Sequence, residues 1–178
     1  MKTKRQIMKK ILLSLLLLIG CAAASQAQKF ALVDMEYILK NVPAYEMANE
    51  QLNQLSQRWQ KEVEAVSKEA DSMYKQYLSD KVFLTEEQVK KREQEIVAKE
   101  EEATQLRYKY FGPEGELYKK RQTLMKPIQD DVYNAVKKVS EERGYQAIFD
   151  RASSANIVYA SPRIDVSNEV LAKLGYAN

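Results

Sequence analysis

From Ala44 to Phe111 the chain runs for 68 residues without a proline or a glycine, and nothing else restricts its fold as much. The stretch is rich in Glu, Lys, Gln, Leu, Ala and Arg, all good helix formers. Apolar residues recur at Tyr45, Ala48, Leu52, Leu55, Trp59, Val63, Val66, Ala70, Met73 and Tyr77. The steps alternate between three and four, with one stutter near Trp59, which is the seam of a helix that packs along a partner helix. Pro43 suits the first turn of that helix.

The seam stops near Leu78. Ser79-Asp80-Lys81 reads as a turn, and Thr85-Glu86-Glu87-Gln88 is a capping-box pattern that opens a second helix. Val89, Ile96, Ala103, Tyr110, Leu117 and Leu124 then follow seven apart, with Leu106 between. Folding back with a tip near residues 80–85 satisfies both seams. It predicts facing pairs Tyr77 with Val89, Ala70 with Ile96, Val63 with Ala103, Trp59 with Leu106, Leu55 with Tyr110 and Ala48 with Leu117. An arm of about 36 residues would extend ~54 Å.

The seam has breaks. Arg92 would face Met73, Lys99 would face Val66, and Leu52 would face Pro113. Gly112-Pro113-Glu114-Gly115 should bend the second helix, so Gly112, Pro113 and Gly115 are the expected hinge of a flexible arm. Past it, Ile128, Val132, Ala135, Val136 and Val139 form a broader apolar stripe, the mark of a helix entering a core. Pro127 is expected to kink its start, and Gly144 to cap its end.

The remainder reads as strand. Lys29 to Met35, Tyr145 to Asp150 and Ile157 to Ala160 are candidates, the last two as a hairpin around the polar turn Arg151 to Asn156. Ser167 should cap a short terminal helix carrying Val170, Leu171 and Leu174. The fold class is therefore mostly α with a small β body: a long antiparallel helical hairpin projects from a β-rich base. The arm is assigned to residues 44–122 and the body to 28–43 and 123–178. Such a base is small, so self-association is expected.

Residues 1–27 have the layout of a secretory leader. Five cations lie in the first ten residues, an apolar run follows from Ile11 to Ile19, and small residues lead to Ser25-Gln26-Ala27, after which cleavage is expected. Leu18-Ile19-Gly20-Cys21 also resembles a lipobox, the alternative in which Cys21 anchors the protein to lipid. Removing the leader's five cations leaves 23 of the 28 basic residues against 25 acidic ones, net −2. Overall basicity therefore gives no reason to expect nucleic acid as a partner. With no His, and Cys21 the only Cys, thiol chemistry, disulfides and zinc sites of the usual kind are excluded from the mature chain.

At this point the order of elements resembles the Skp/OmpH family of periplasmic chaperones. The residues that carry the resemblance are Phe30-Ala31-Leu32-Val33-Asp34-Met35 with Tyr37-Ile38-Leu39, and Gly144-Tyr145-Gln146-Ala147-Ile148-Phe149-Asp150. Ile157-Val158-Tyr159-Ala160 and Ile164 to Leu171 continue it. The resemblance implies a homotrimer whose β-rich body carries three helical arms around a cavity. It also implies binding of unfolded outer-membrane proteins in the periplasm without ATP. One departure is charge: familiar members are strongly basic, whereas this mature chain is slightly acidic.

No catalytic constellation is present, and no cofactor or metal is expected. Ser153-Ser154 reads as turn polarity, Glu100-Glu101-Glu102 as solvated helix surface, and no Gly-rich phosphate loop occurs. The candidate chemistry is binding. Met73, Tyr74, Tyr77, Phe83, Tyr108 and Phe111 are the candidate contacts to a client, since aromatic and Met side chains give adaptable apolar surface. Lys90, Lys91 and Arg92 are a candidate contact to an anionic membrane surface, although Glu86, Glu87, Glu93 and Glu95 surround them. The competing expectation is a structural or adaptor coiled coil of the envelope, lipid-anchored or free, that binds one folded partner.

Overall fold

The computed structural model describes residues 29–153 and 157–176. The expected leader and the Cys21 lipobox lie outside the described residues. Strand β1 (Phe30–Val33) leads into helix α1 (Met35–Lys40) and then α2 (Pro43–Asp80). A 3-10 turn (Lys81–Phe83) connects to α3 (Glu86–Phe111), followed by α4 (Glu116–Arg143), strand β2 (Ala147–Asp150), a 3-10 turn (Pro162–Ile164) and α5 (Ser167–Lys173). The molecule is mostly helical, with long helices and a small sheet.

The local signals behave as their chemistry requires. Pro43 opens α2, where its missing N–H costs nothing. At the start of α3 the Gln88 N–H donates to Thr85 Oγ1, and the Thr85 N–H donates to Gln88 Oε1 at 2.9 Å, which completes the capping box. Gly144 ends α4 at φ 70, a conformation that glycine adopts without a Cβ penalty. Two local expectations change. Helix α4 begins at Glu116 and runs through Pro127, so the proline lies inside a helix. Ser167 does not cap α5. Asp165 Oδ1 accepts from the Ser167 N–H (2.9 Å) and from its hydroxyl, while Ser167 Oγ accepts the Asp34 N–H at 2.8 Å.

Helices α2 and α3 pack side by side. Near the tip the Tyr77 hydroxyl donates to Glu93 Oε1. Further from the tip Lys99 Nζ lies 3.3 Å from Glu69, and Tyr110 donates to Glu62 at 2.6 Å while stacking on Trp59 with centroids 4.8 Å apart. Residue numbers therefore fall along α3 as they rise along α2. Across the pair Trp59 meets Tyr110, and Leu52 shares a groove with Leu117. Helix α2 keeps Ser79 and Asp80, expected in the turn, and a 3-10 turn precedes Thr85.

The core lies where α4 meets the chain ends. Met125, Ile128, Val132, Ala135 and Val139 recur at steps of three and four and pack on Ala31, Val33, Ile38, Val166, Val170 and Leu171. The sheet differs from expectation. Strands β1 and β2 pair in parallel, Phe30 with Ala147 through Val33 with Asp150. A parallel pair needs a long crossover, here everything from α1 to α4. Ile157–Ala160 is not a strand and forms no hairpin with β2; the segment that reaches the sheet is Asp165, bridged to Leu32. Residues 154–156 of the expected turn lie outside the described residues. Val158 and Tyr159 are almost fully exposed. Among the described residues the base therefore has two strands, not three.

Polar contacts fasten the strand ends to this core. Arg151 sits between Asp34 and Asp165, at 3.2 Å from each. Asp150 accepts the Met35 N–H at 3.1 Å and the Ala152 N–H at 3.0 Å. Partial burial pushes the Asp150 carboxyl up, but the bonds from Ser153, Met35 and Ala152 together hold it below the ordinary carboxylate range. A depressed pKa in the fold means stabilisation that is present above the unfolded value and lost as pH falls through the folded one. Asp150→Asn should therefore flatten the acid limb of stability below about pH 4, measured by denaturant midpoint against pH.

Candidate binding surface

The tip of the helix pair is apolar and open. Leu78, at the end of α2, projects past the seam, and Val82 and Phe83 in the 3-10 turn are 81% and 85% exposed. Tyr74 is half-exposed beside them on α2. Among the described residues no helix lies beyond the turn to cover these groups. Of the predicted contacts, Tyr74 and Phe83 belong to this patch, and Met73 is half-buried in the helix pair. Leu78 and Val82 were missed, since an apolar residue beyond the last seam position reads the same in sequence whether or not anything covers it. Tyr77 is corrected: it is 5% exposed, its hydroxyl bonds Glu93, and the Lys81 ammonium lies 5.1 Å from its ring centroid. It fastens the tip.

Tyr108 and Phe111 form a second patch. Tyr108 is 70% exposed. Phe111 sets its edge on Tyr110, 6.4 Å between centroids, and lines a shallow groove with Val63, Gln60, Glu64 and Arg107. By helix rise this patch lies roughly 35 Å from the tip. The structure thus places four of the six predicted residues in two apolar patches on the helix pair, with Met73 half-buried and Tyr77 buried.

Charge on the helix pair is mixed. Lys90, Lys91 and Arg92 are exposed, but Arg92 pairs with Glu95 at 3.8 Å, and Lys90 borders a groove with Glu93 and Glu101. Lys81 lies 3.9 Å from Glu93; its bond with Tyr77 first, and then that carboxylate, raise its pKa. Lys99, expected as a break in the seam, is held by Glu102 at 2.9 Å and by Glu69, which raise its pKa and keep it charged. The break is thereby neutralised, one residue from the small Ala70.

Between the two long return helices, Gly112 to Gly115 form a tight turn in which the Gly115 N–H donates to the Gly112 carbonyl at 2.9 Å. A Cβ on Gly115 would lie 2.8 Å from the Tyr110 carbonyl oxygen and 2.9 Å from that of Lys109. Gly115→Ala would therefore force the turn open as well as stiffen it. The expected cost is about 1–3 kcal/mol, read from denaturant unfolding.

A pair of long helices on a small core, closed by a short terminal helix, is a distinctive arrangement. The sequence profile of the family described as "Outer membrane protein (OmpH-like)" matches residues 29–174. The chain belongs to the OmpH-like family. No curated protein matches it. A solved structure from Caulobacter crescentus CB15, titled a candidate outer membrane chaperone (OmpH-like), superposes with a TM-score of 0.68. It is 12% identical, and the match covers 85% of this chain and 86% of that one. At that identity the likeness speaks for the fold. Within the OmpH-like fold, the tip patch and the Tyr108–Phe111 patch fall on the long helices, and the glycine turn joins two of them.

Proposed function

We propose that this OmpH-like chain is an ATP-independent holdase chaperone of the periplasm, acting on unfolded outer-membrane proteins. In this reading the antiparallel hairpin of α2 and α3 is an arm, and three copies joined through their bodies enclose a cavity between arms. The observation that carries it is the pair of exposed apolar patches on an otherwise charged helix pair. A monomer gains nothing from leaving Val82, Phe83 and Tyr108 in water, whereas a binder of unfolded chains uses such surface. The charged remainder keeps a loaded complex soluble. Many weak contacts along several arms then hold a client by avidity.

Support for the trimer comes from the body. Phe30 and Phe149 lie 6.1 Å apart and half-exposed on the sheet, and Val158 and Tyr159 are also exposed. The function is binding, with Gly112, Pro113 and Gly115 as the hinge that fits the arms to clients of different size. Any contact with a membrane surface through Lys90, Lys91 and Arg92 is weak, because carboxylates flank them.

The test is suppression of aggregation. A denatured outer-membrane β-barrel protein is diluted into buffer with and without the purified protein, and turbidity is followed. Suppression at about one trimer per client, without nucleotide, together with a native mass of three chains, is expected. Tight binding of one folded partner with no suppression would instead establish an adaptor.

A further inference from the structure

Four polar residues of α2, Asn49, Asn53, Ser56 and Gln60, recur at steps of four, three and four, so they form one stripe beside the seam. The first three line a groove between α2 and α4. Leu52, 4% exposed, and Leu117 give the groove its apolar surface, and Arg121 borders it from α4. Its volume is about 310 Å³. That is the small end of ligand sites, at ~300–1,000 Å³, and suits a short stretch of chain better than a whole cofactor.

Arg121 has no carboxylate to hold. Its neighbours one turn away on α4 are Leu117, Tyr118, Leu124 and Met125, so its own helix offers no acid at pairing distance. Elsewhere on α4, Lys119 pairs with Glu116 and Lys126 with Asp130. Among the described residues Arg121 enters no ion pair, and every other residue that lines the groove is uncharged. A guanidinium left so, beside apolar surface, suits a carboxylate bound through two parallel N–H groups.

The amides on the α2 side match a polypeptide backbone. Asn49 and Asn53 stand one turn apart, ~6.0 Å along the helix. In an extended chain the groups that point one way recur at every second residue, ~6.6 Å apart. Each amide can donate to a carbonyl and accept from an N–H, so the pair can hold successive peptide groups on one edge of such a chain. The stripe continues to Gln60, ~16 Å from Asn49 by helix rise. A chain can therefore run through the groove and need not end in it.

We propose that this groove takes an extended polypeptide segment with an acidic side chain, the α2 amides holding its backbone and Arg121 its carboxylate. That the segment belongs to an unfolded client rests on the chaperone reading; the chemistry of the groove does not. The groove gives the protein a preference among client segments that the tip patch lacks, since apolar contact does not distinguish charge.

The probe is a capped, dye-labelled peptide of Val and Thr with one central Glu, about nine residues long, which at ~3.3 Å each exceeds the stripe. Capping leaves the Glu side chain as its only carboxylate. By fluorescence anisotropy the purified protein should bind it about tenfold more tightly than the same peptide with Gln. Arg121→Gln should abolish that preference. Asn49→Ala with Asn53→Ala should weaken both peptides alike. These side chains are exposed and Ala favours helix, so the unfolding midpoint should not move. Equal affinity of the unaltered protein for the two peptides would overturn the proposal, as would a Glu preference that survives Arg121→Gln. A native mass changed by Arg121→Gln would also overturn it, since the groove would then be an interface between copies. Aggregation of a denatured client is followed separately. Failure to suppress it, with the Glu preference intact, would remove the chaperone reading and leave the groove as a site for acidic peptides.

Discussion

Val132→Asp should abolish cooperative folding of the body. Val132 is 1% exposed, and it lies in the middle of the α4 stripe that packs on both chain ends. A carboxylate there would lose most of its water among the apolar side chains that pack around it. Burying such a charge costs several kcal/mol even after relaxation. Domains of this size have about 5–15 kcal/mol of stability in all. The expected result is loss of the main thermal transition by circular dichroism, while some helical signal from the long helices persists. Tyr133→Asp, one position along and exposed, is the control and should shift stability by about 0.5 kcal/mol or less. A normal transition in Val132→Asp would mean that α4 is not the core helix.

The second large effect is expected at the tip. Replacing Leu78, Val82 and Phe83 together by Ser should weaken client holding about tenfold or more, roughly 1.4 kcal/mol. Burial of even part of three large apolar side chains exceeds that figure, at about 1.5–3 kcal/mol for each one fully buried. These groups are open to solvent, so the substitutions should leave the unfolding midpoint nearly unchanged. Protein needed for half-suppression of client aggregation is the quantity to measure. Changing Lys90, Lys91 and Arg92 to Gln should have a much smaller effect, because Glu93, Glu95 and Glu101 already offset them. Equal losses in both variants would show that charge, not apolar surface, captures the client.

The difference between these two predictions marks where local pattern stops being informative. Val132 could be read from sequence because a helix that enters a core must repeat its apolar residues at steps of three and four, and the α4 stripe does. The two open tip residues Leu78 and Val82 could not, because an apolar residue in a turn reads the same whether something covers it or not. Tyr77 shows the converse. It lies on the seam and was also a candidate contact, and only its bond to Glu93 and the Lys81 ammonium over its ring decided between the two.

Helix content, the capping box at Thr85, the glycine stop at Gly144 and the core stripe of α4 follow from the sequence by itself, because each depends on residues within a few positions of one another. The sheet and the polar pairs between α2 and α3 do not. Whether β2 pairs with Ile157–Ala160 or with β1 depends on which partner the core brings alongside, and the packing of α4 against both chain ends selects β1, in parallel. Tyr110, Lys99 and Tyr77 find Glu62, Glu69 and Glu93 across the helix pair, residues far apart in sequence that meet only once the two helices pack.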